Sequence, residues 1–243
     1  MVVLSKSSLS TFITCPRLFK FLYVDKVQQD RSSPEAQRGI AFHEFACSFY
    51  DNLYVSGNQF QIDQQWLQEQ IQLMTPDVVP FVKNFVEFEQ QRWNLCVERK
   101  PENPSKFFMP VLKEKKILNL GLEMVGIIDR VDLNFDEKGY TICDYKTERF
   151  STKSWKMTEH RREATFYKIL LENSGLIDLP VTSFAFIYPR SNDVWAEDFG
   201  TRTLSAFKKK ITQVRQEIEA EEFPCKVGIF CRFCNCNNIC DMS

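Results

Sequence analysis

EMVGIIDRVDL (residues 123–133) and YTICDYK (residues 140–146) decide how this chain reads. Both alternate at period two, and the turn residues Asp136–Gly139 lie between them, so they predict two adjacent strands. Side chains alternate faces along a strand, which puts Asp129 with Val125, Ile127, Val131 and Leu133. A carboxylate in an apolar layer is costly unless something pairs with it. On the second strand Asp144 and Lys146 point the same way, together with Tyr140 and Ile142. Two neighbouring strands thus send charge into an apolar layer, as a divalent-metal site with a nearby ammonium requires. A buried Asp–Lys ion pair without chemistry is the competing reading. Asp132 falls on the opposite face beside Arg130 and reads as a surface or secondary residue.

Outward from this ribbon, Pro110–Leu118, Val181–Tyr188 and Asp193–Phe199 also read as strands, with a turn at Asn119–Gly121. Helical spacing appears over Glu35–Leu53, Gln59–Met74, Val79–Glu98 and Thr158–Glu172. Leu204, Phe207, Ile211, Val214 and Ile218 mark a long amphipathic helix. Capping residues at Ser5–Ser10 precede a short helix through Cys15 and Phe19. Gln28–Pro34 is a polar break, and Lys100–Ser105 is a linker or turn. His43, in RGIAFHEF (38–45), lies on a helix with Gly39 one turn before it, and that glycine would let the helix approach a strand closely. Its imidazole gains weight as a ligand only beside Asp129 and Asp144.

The 243 residues suffice for one sizeable core. Lys plus Arg number 31 against 32 Asp plus Glu, so the charge of -1 excludes a strongly basic nucleic-acid binder. If the chain binds DNA, the positive charge must be local or come from bound metal. Phe occurs 22 times, which suits packed helices first and base stacking second. No run approaches the roughly 20 apolar residues of a membrane span, and no signal peptide is read at the start. The expectation is a cytoplasmic protein with no membrane partner, whose nine Cys favour metal over disulfides. Cys231, Cys234 and Cys240 give C-x2-C-x5-C, with Cys236 inside and Cys225 just before. Zinc held locally by Cys231, Cys234, Cys236 and Cys240, or an iron–sulfur cluster, both satisfy this spacing. Cys47, Cys96 and Cys143 read as buried small hydrophobes.

The order of Gly39-x-x-x-His43, Gly126–Asp129, Asp144–Lys146 and the helical Tyr167 resembles the RecB-like nucleases of the PD-(D/E)XK superfamily. SSLSTFITCPRLFKF (7–21) and CRFCNCNNIC (231–240) resemble its iron–sulfur branch, which includes CRISPR-associated exonucleases and AddB-type nuclease domains. The resemblance implies an α/β, restriction-endonuclease-like fold: a central mixed sheet flanked by helices, with a helical insertion. It implies one domain over 1–243, with a helical region at 35–100 and a catalytic sheet core at 106–200. Segments 1–25 and 223–243 would form the cluster subdomain. Cys15, Cys231, Cys234 and Cys240 would ligate a 4Fe–4S cluster, structural in role and open to redox sensing, joining the two ends of the chain.

The chemistry implied is phosphodiester hydrolysis. His43, Asp129, Asp144 and the Tyr145 carbonyl would hold Mg²⁺ or Mn²⁺, the imidazole favouring Mn²⁺. Lys146 would orient water or offset charge on phosphate. Tyr167 would position the strand. Glu163 stands where the family usually has Gln; an ionised Glu only accepts hydrogen bonds, so it would face a metal-bound water or an Arg. Arg161 and Arg162 would contact DNA, or else form a solvated helix face. His160 reads as an exposed helix residue. The resemblance further implies exonuclease action on single-stranded DNA from the 5′ end. The chain has no phosphate-binding loop of the ATPase type, so unwinding would need a helicase, recombination or CRISPR partner. A catalytically idle DNA-end-binding module and a zinc-bearing adaptor are the alternatives.

Overall fold

The computed structural model describes residues 2–28 and 33–240. In chain order the elements begin with β1 (Leu4–Ser5), α1 (Lys6–Thr14) and α2 (Pro16–Phe19). Next come α3 (Pro34–Phe49), β2 (Leu53–Ser56), β3 (Gln59–Ile62), α4 (Gln64–Leu73), α5 (Val79–Arg99) and α6 (Pro104–Phe108). The second half holds β4 (Leu112–Asn119), β5 (Met124–Leu133), β6 (Tyr140–Tyr145), α7 (Ser154–Glu172), β7 (Val181–Tyr188), β8 (Asp193–Asp198) and α8 (Thr201–Glu219). Local chemistry sets several starts. Pro34 opens α3 while the Ser33 hydroxyl accepts the Ala36 N–H at 3.2 Å. Asp63 caps α4 by accepting the Trp66 N–H at 3.0 Å.

Two compact units form, one from Met1–Arg31, Leu118–Gly126 and Gly200–Ser243, the other from Ser32–Ile117 and Ile127–Phe199. In the larger unit β5, β6, β7 and β8 lie in that order, and β4 also pairs with β5. β5 and β6 are antiparallel, with Val131 opposite Ile142, and β7 and β8 are antiparallel. β6 and β7 are parallel. A parallel pair needs a long crossover, and α7 supplies it. This is the expected mixed sheet flanked by helices. Phe42, Phe45 and Phe49 of α3 pack with Phe85 and Trp93 of α5 and Tyr145 of β6 in one buried aromatic core. Most of the phenylalanine excess is spent there and in the smaller unit.

In the smaller unit Leu4 and Ser5 pair in parallel with Met124 and Val125. Phe12 stands edge-on to Phe19 at 5.2 Å, and both rings meet Phe223, at 6.4 and 6.2 Å. Phe207, Ile211 and Val214 form the buried stripe of α8.

Three local expectations are corrected. Helix was expected to run through Leu53 and again from Gln59; instead β2 and β3 form a hairpin turning at Gly57, whose φ is +55°. Lys100–Ser105 is not all linker, because Asn103 caps the short helix α6. Gly39 is not forced by a close approach: a Cβ there would meet Thr147 Oγ1 at 3.7 Å, an ordinary contact. Gly139 is the glycine that packing requires, since a Cβ would lie 2.7 Å from the Pro180 carbonyl oxygen. No helix among the described residues is long and apolar enough to cross a membrane.

Candidate metal centre

Three elements of the larger unit bring donors to one point. His43 projects from α3, Glu114 from β4 and Asp129 from β5, and their ligand atoms lie within 4.8 Å of one another. His43 Nδ1 is 3.4 Å from Glu114 Oε1 and 3.5 Å from Asp129 Oδ2. Asp129 Oδ2 also accepts the Tyr145 N–H at 2.8 Å, which fixes the carboxylate against β6. Burial opposes a charge on the imidazole, but hydrogen bonds to the Asp129 and Glu114 carboxylates outweigh it and push the pKa up to about 10. A cation taking that nitrogen must displace the proton, so binding weakens as pH falls.

Glu114 was not foreseen. It lies in Leu-Lys-Glu-Lys-Lys, which reads as the solvated edge of a strand. Its φ of +40° is a conformation that costs a non-glycine residue about 1–3 kcal/mol and that clusters at functional sites. Nothing in the sequence marks that angle.

Asp144 stands outside the 4.8 Å grouping. Lys146 Nζ forms an ion pair with Asp144 Oδ2 at 2.6 Å and donates to Glu163 Oε1 of α7 at 2.8 Å. Burial works against the ammonium, yet the two carboxylates hold the Lys146 pKa well above its ordinary value. Asp144 remains close enough for its charge to help keep His43 protonated. Glu163 therefore faces a lysine rather than an arginine. Tyr167 is buried one turn along α7; burial first, then the charges of Asp144, Glu163 and Asp129, push its hydroxyl up and keep it neutral. The group thus offers N and O donors for a cation, with an ammonium and a neutral phenol beside them.

Beneath Tyr145 lies an ionic network. Arg130 is 2% exposed and pairs with Glu89 Oε1 at 2.7 Å and Asp132 Oδ2 at 3.0 Å. It also donates to the hydroxyls of Tyr50 at 2.6 Å and Tyr145 at 2.9 Å. Arg92 supports Glu89 at 2.8 Å. Asp132 is therefore a member of a buried network, because Arg130 and Arg92 supply the charge that burial demands.

A model described as the PD-(D/E)XK nuclease superfamily matches residues 3–241. The chain belongs to this superfamily. Asp144-Tyr145-Lys146 reproduces the D-x-K of the superfamily's name, with Asp129 preceding it on β5. No curated protein matches the chain. Among solved structures it is similar to a "Putative exonuclease" from Eubacterium rectale, at 10% identity and a TM-score of 0.49, covering 94% of this chain and 86% of that one. It is similar to SSO0001 at 12% identity and a TM-score of 0.40, covering 98% and 85%. Superfamily membership rests on the sequence match.

The remaining site candidates divide. Arg161 is engaged by Glu197, with Nε and Nη2 donating at 2.8 and 2.6 Å, and it covers the Trp195 ring. Arg162 is exposed on α7. His160 is buried at 2% exposure, contrary to its reading as an exposed residue; its ring stacks on Phe186 at 4.5 Å.

In the smaller unit several thiols neighbour Cys15, but among the described residues no three of them bring their sulfurs within 4.8 Å of one another. Cys225 Sγ is 3.7 Å from Cys240 Sγ and interacts with Cys15. Burial opposes ionisation of Cys15, but backbone hydrogen bonds of Lys226, Leu18 and Arg17 hold its thiol below the ordinary range. Burial first, and then the neighbouring Cys236, Cys15 and Cys231, push the Cys234 thiol up. The Lys226 ammonium donates to the Ile13 carbonyl at 2.8 Å and ties the terminal segments together beside these thiols. Cys96 and Cys143 are buried, as expected of small hydrophobes, while Cys47 is only half-buried.

Proposed function

We propose that this chain is a Mg²⁺- or Mn²⁺-dependent exonuclease that hydrolyses single-stranded DNA from the 5′ end. The convergence of His43, Glu114 and Asp129 within 4.8 Å carries this reading. One imidazole and carboxylate oxygens suit a hard or borderline divalent cation. His43, Asp129 and Asp144, with the Tyr145 carbonyl, would hold it, and Glu114 adds a third carboxylate beside His43. When bound, the ion supplies Lewis acidity and a more acidic water.

The chain's own groups do the rest. Asp144 would be among the ligands of the ion, and Glu163 holds Lys146 at 2.8 Å. The Lys146 ammonium then offsets charge developing on the phosphate. The neutral Tyr167 hydroxyl donates to a phosphate oxygen. Arg162, exposed on the same helix, takes a neighbouring phosphate of the strand, with Arg161 available once it leaves Glu197.

In the same reading Cys15, Cys231, Cys234 and Cys240 hold a 4Fe–4S cluster in the cytoplasm, and a helicase, recombination or CRISPR protein presents the strand. Cys15 from one end of the chain and the cysteines of the other lie in one compact unit, and Cys15 is biased toward thiolate, which suits an iron–sulfur group. The test is an anaerobic assay on labelled single strands blocked at either end, comparing Mg²⁺ with Mn²⁺. Shortening of 3′-blocked but not 5′-blocked strands is expected, and activity that persists in EDTA would refute it.

A further inference from the structure

Tyr145 is held at both ends by two consecutive residues of β5. Backbone pairing of β5 with β6 runs from Leu133 opposite Tyr140 to Arg130 opposite Cys143 and stops there. Beyond that point the Asp129 carboxylate accepts the Tyr145 N–H at 2.8 Å, in place of a strand carbonyl. At the far end of the side chain, Arg130 Nη1 donates to the Tyr145 hydroxyl at 2.9 Å. Between the two, the ring stands edge-on to Phe42 and His43 of α3 and Phe85 of α5, with centroids 5.8, 6.0 and 5.5 Å away. Apolar contacts are non-directional, so these rings alone do not set how deep Tyr145 is drawn into the core. The hydroxyl bond does, and with it the place of the Tyr145 backbone at the metal centre.

Arg130 Nη1 also donates to the Tyr50 hydroxyl at 2.6 Å and to Glu89 Oε1 at 2.7 Å. Tyr50 closes α3, the helix that carries His43, and Glu89 belongs to α5. One nitrogen thus joins β5, α3 and β6, which carry Asp129, His43 and Asp144, and anchors them on α5. This nitrogen has two N–H bonds for three oxygens. Removing the Tyr145 hydroxyl leaves two acceptors for two donors, while Arg130 keeps Glu89 and Asp132. The buried charges stay paired, and only the tie to β6 is cut.

We infer that Tyr145 is a positioning residue: through its hydroxyl, the buried Arg130 node sets where the β6 backbone meets Asp129, and thereby the spacing of the metal donors. The inference deepens the metal reading proposed above and rests on it for the ion.

The test compares Tyr145→Phe with Tyr140→Phe, which removes a hydroxyl bonded to Asp178 at 2.5 Å from the other end of the same strand. Two quantities are measured: Mn²⁺ affinity by electron paramagnetic resonance, and amide hydrogen exchange without metal. Tyr145→Phe should weaken Mn²⁺ binding about tenfold, as loss of an orienting partner does. It should also speed exchange at the residue 145 amide about tenfold relative to Lys146, whose N–H is held by the Ile187 carbonyl at 2.8 Å. Tyr140→Phe should change neither quantity by more than about twofold. A hydroxyl with only a structural role would speed both amides alike or neither, and an unchanged ratio of the two rates overturns the inference. Equal effects of the two substitutions overturn it as well. Should the wild-type protein bind no Mn²⁺, the metal reading fails and the exchange ratio alone decides the positioning of Tyr145.

Discussion

Arg130→Met tests whether the ionic network under the site is energetically closed. The guanidinium is fully buried and serves Glu89, Asp132 and the hydroxyls of Tyr50 and Tyr145. Methionine fills much of the volume but removes the charge. Glu89, itself 0% exposed, and Asp132 would then share the Arg92 cation alone, at 2.8 and 3.8 Å. Breaking a buried pair by deleting one partner costs about 3–5 kcal/mol, because the surviving charge stays desolvated. In a chain of this size that lowers Tm by about 10 °C. The assay is thermal and urea unfolding of both proteins across pH. Burial opposes ionisation of Glu89, but Arg92 and Arg130 more than offset it and depress its folded pKa. Its stabilising contribution is therefore present above the ordinary glutamate range and is lost as pH falls through the depressed value. With Arg130 gone the depression shrinks, so the variant loses less stability on acidification than the wild type. A Tm change under about 2 °C, or parallel pH profiles, would refute the reasoning.

Three further outcomes follow from the structure. Asp144→Ala should abolish metal-dependent cleavage while the circular dichroism spectrum stays native, because Lys146 keeps Glu163 as its partner; wild-type rates would remove Asp144 from the site. Cys15→Ala should lose bound iron and thermal stability together, read by elemental analysis and unfolding of anaerobically purified protein; full iron content would exclude Cys15 as a ligand. Gly139→Ala should destabilise by about 1–3 kcal/mol through overpacking, since its Cβ would meet Thr182 at 2.6 Å and the Pro180 carbonyl; an unchanged urea midpoint would contradict that packing.

The ribbon of β5 and β6 was legible because period-two alternation, a turn and two misplaced carboxylates coincide over a short stretch. α5 was legible because its apolar positions keep helical spacing, and β7 because a nearly continuous apolar run reads as a buried strand. The hairpin of β2 and β3 was not, because four-residue strands beside amphipathic helices leave too few positions to separate the two periods. Glu114 could not be found from sequence, since its role depends on a left-handed backbone angle inside a run of charged residues. Glu89 could have been: it follows Phe85 by four residues and precedes Trp93 by four, so it occupies the apolar stripe of α5 and demands a buried cation. His160 shows the opposite error. Flanking Glu159, Arg161 and Arg162 make its segment look solvated, yet the helix turns that one position onto Phe186.

Mn²⁺ binding followed by electron paramagnetic resonance, in the wild type and in Asp129→Asn, probes the metal centre most directly. A tight site in the wild-type protein that weakens at least about tenfold in the variant is the result expected when α3, β4 and β5 deliver their side chains to one ion. Equal affinity in the two proteins, or no bound Mn²⁺ in either, would mean that His43, Glu114 and Asp129 meet for another reason.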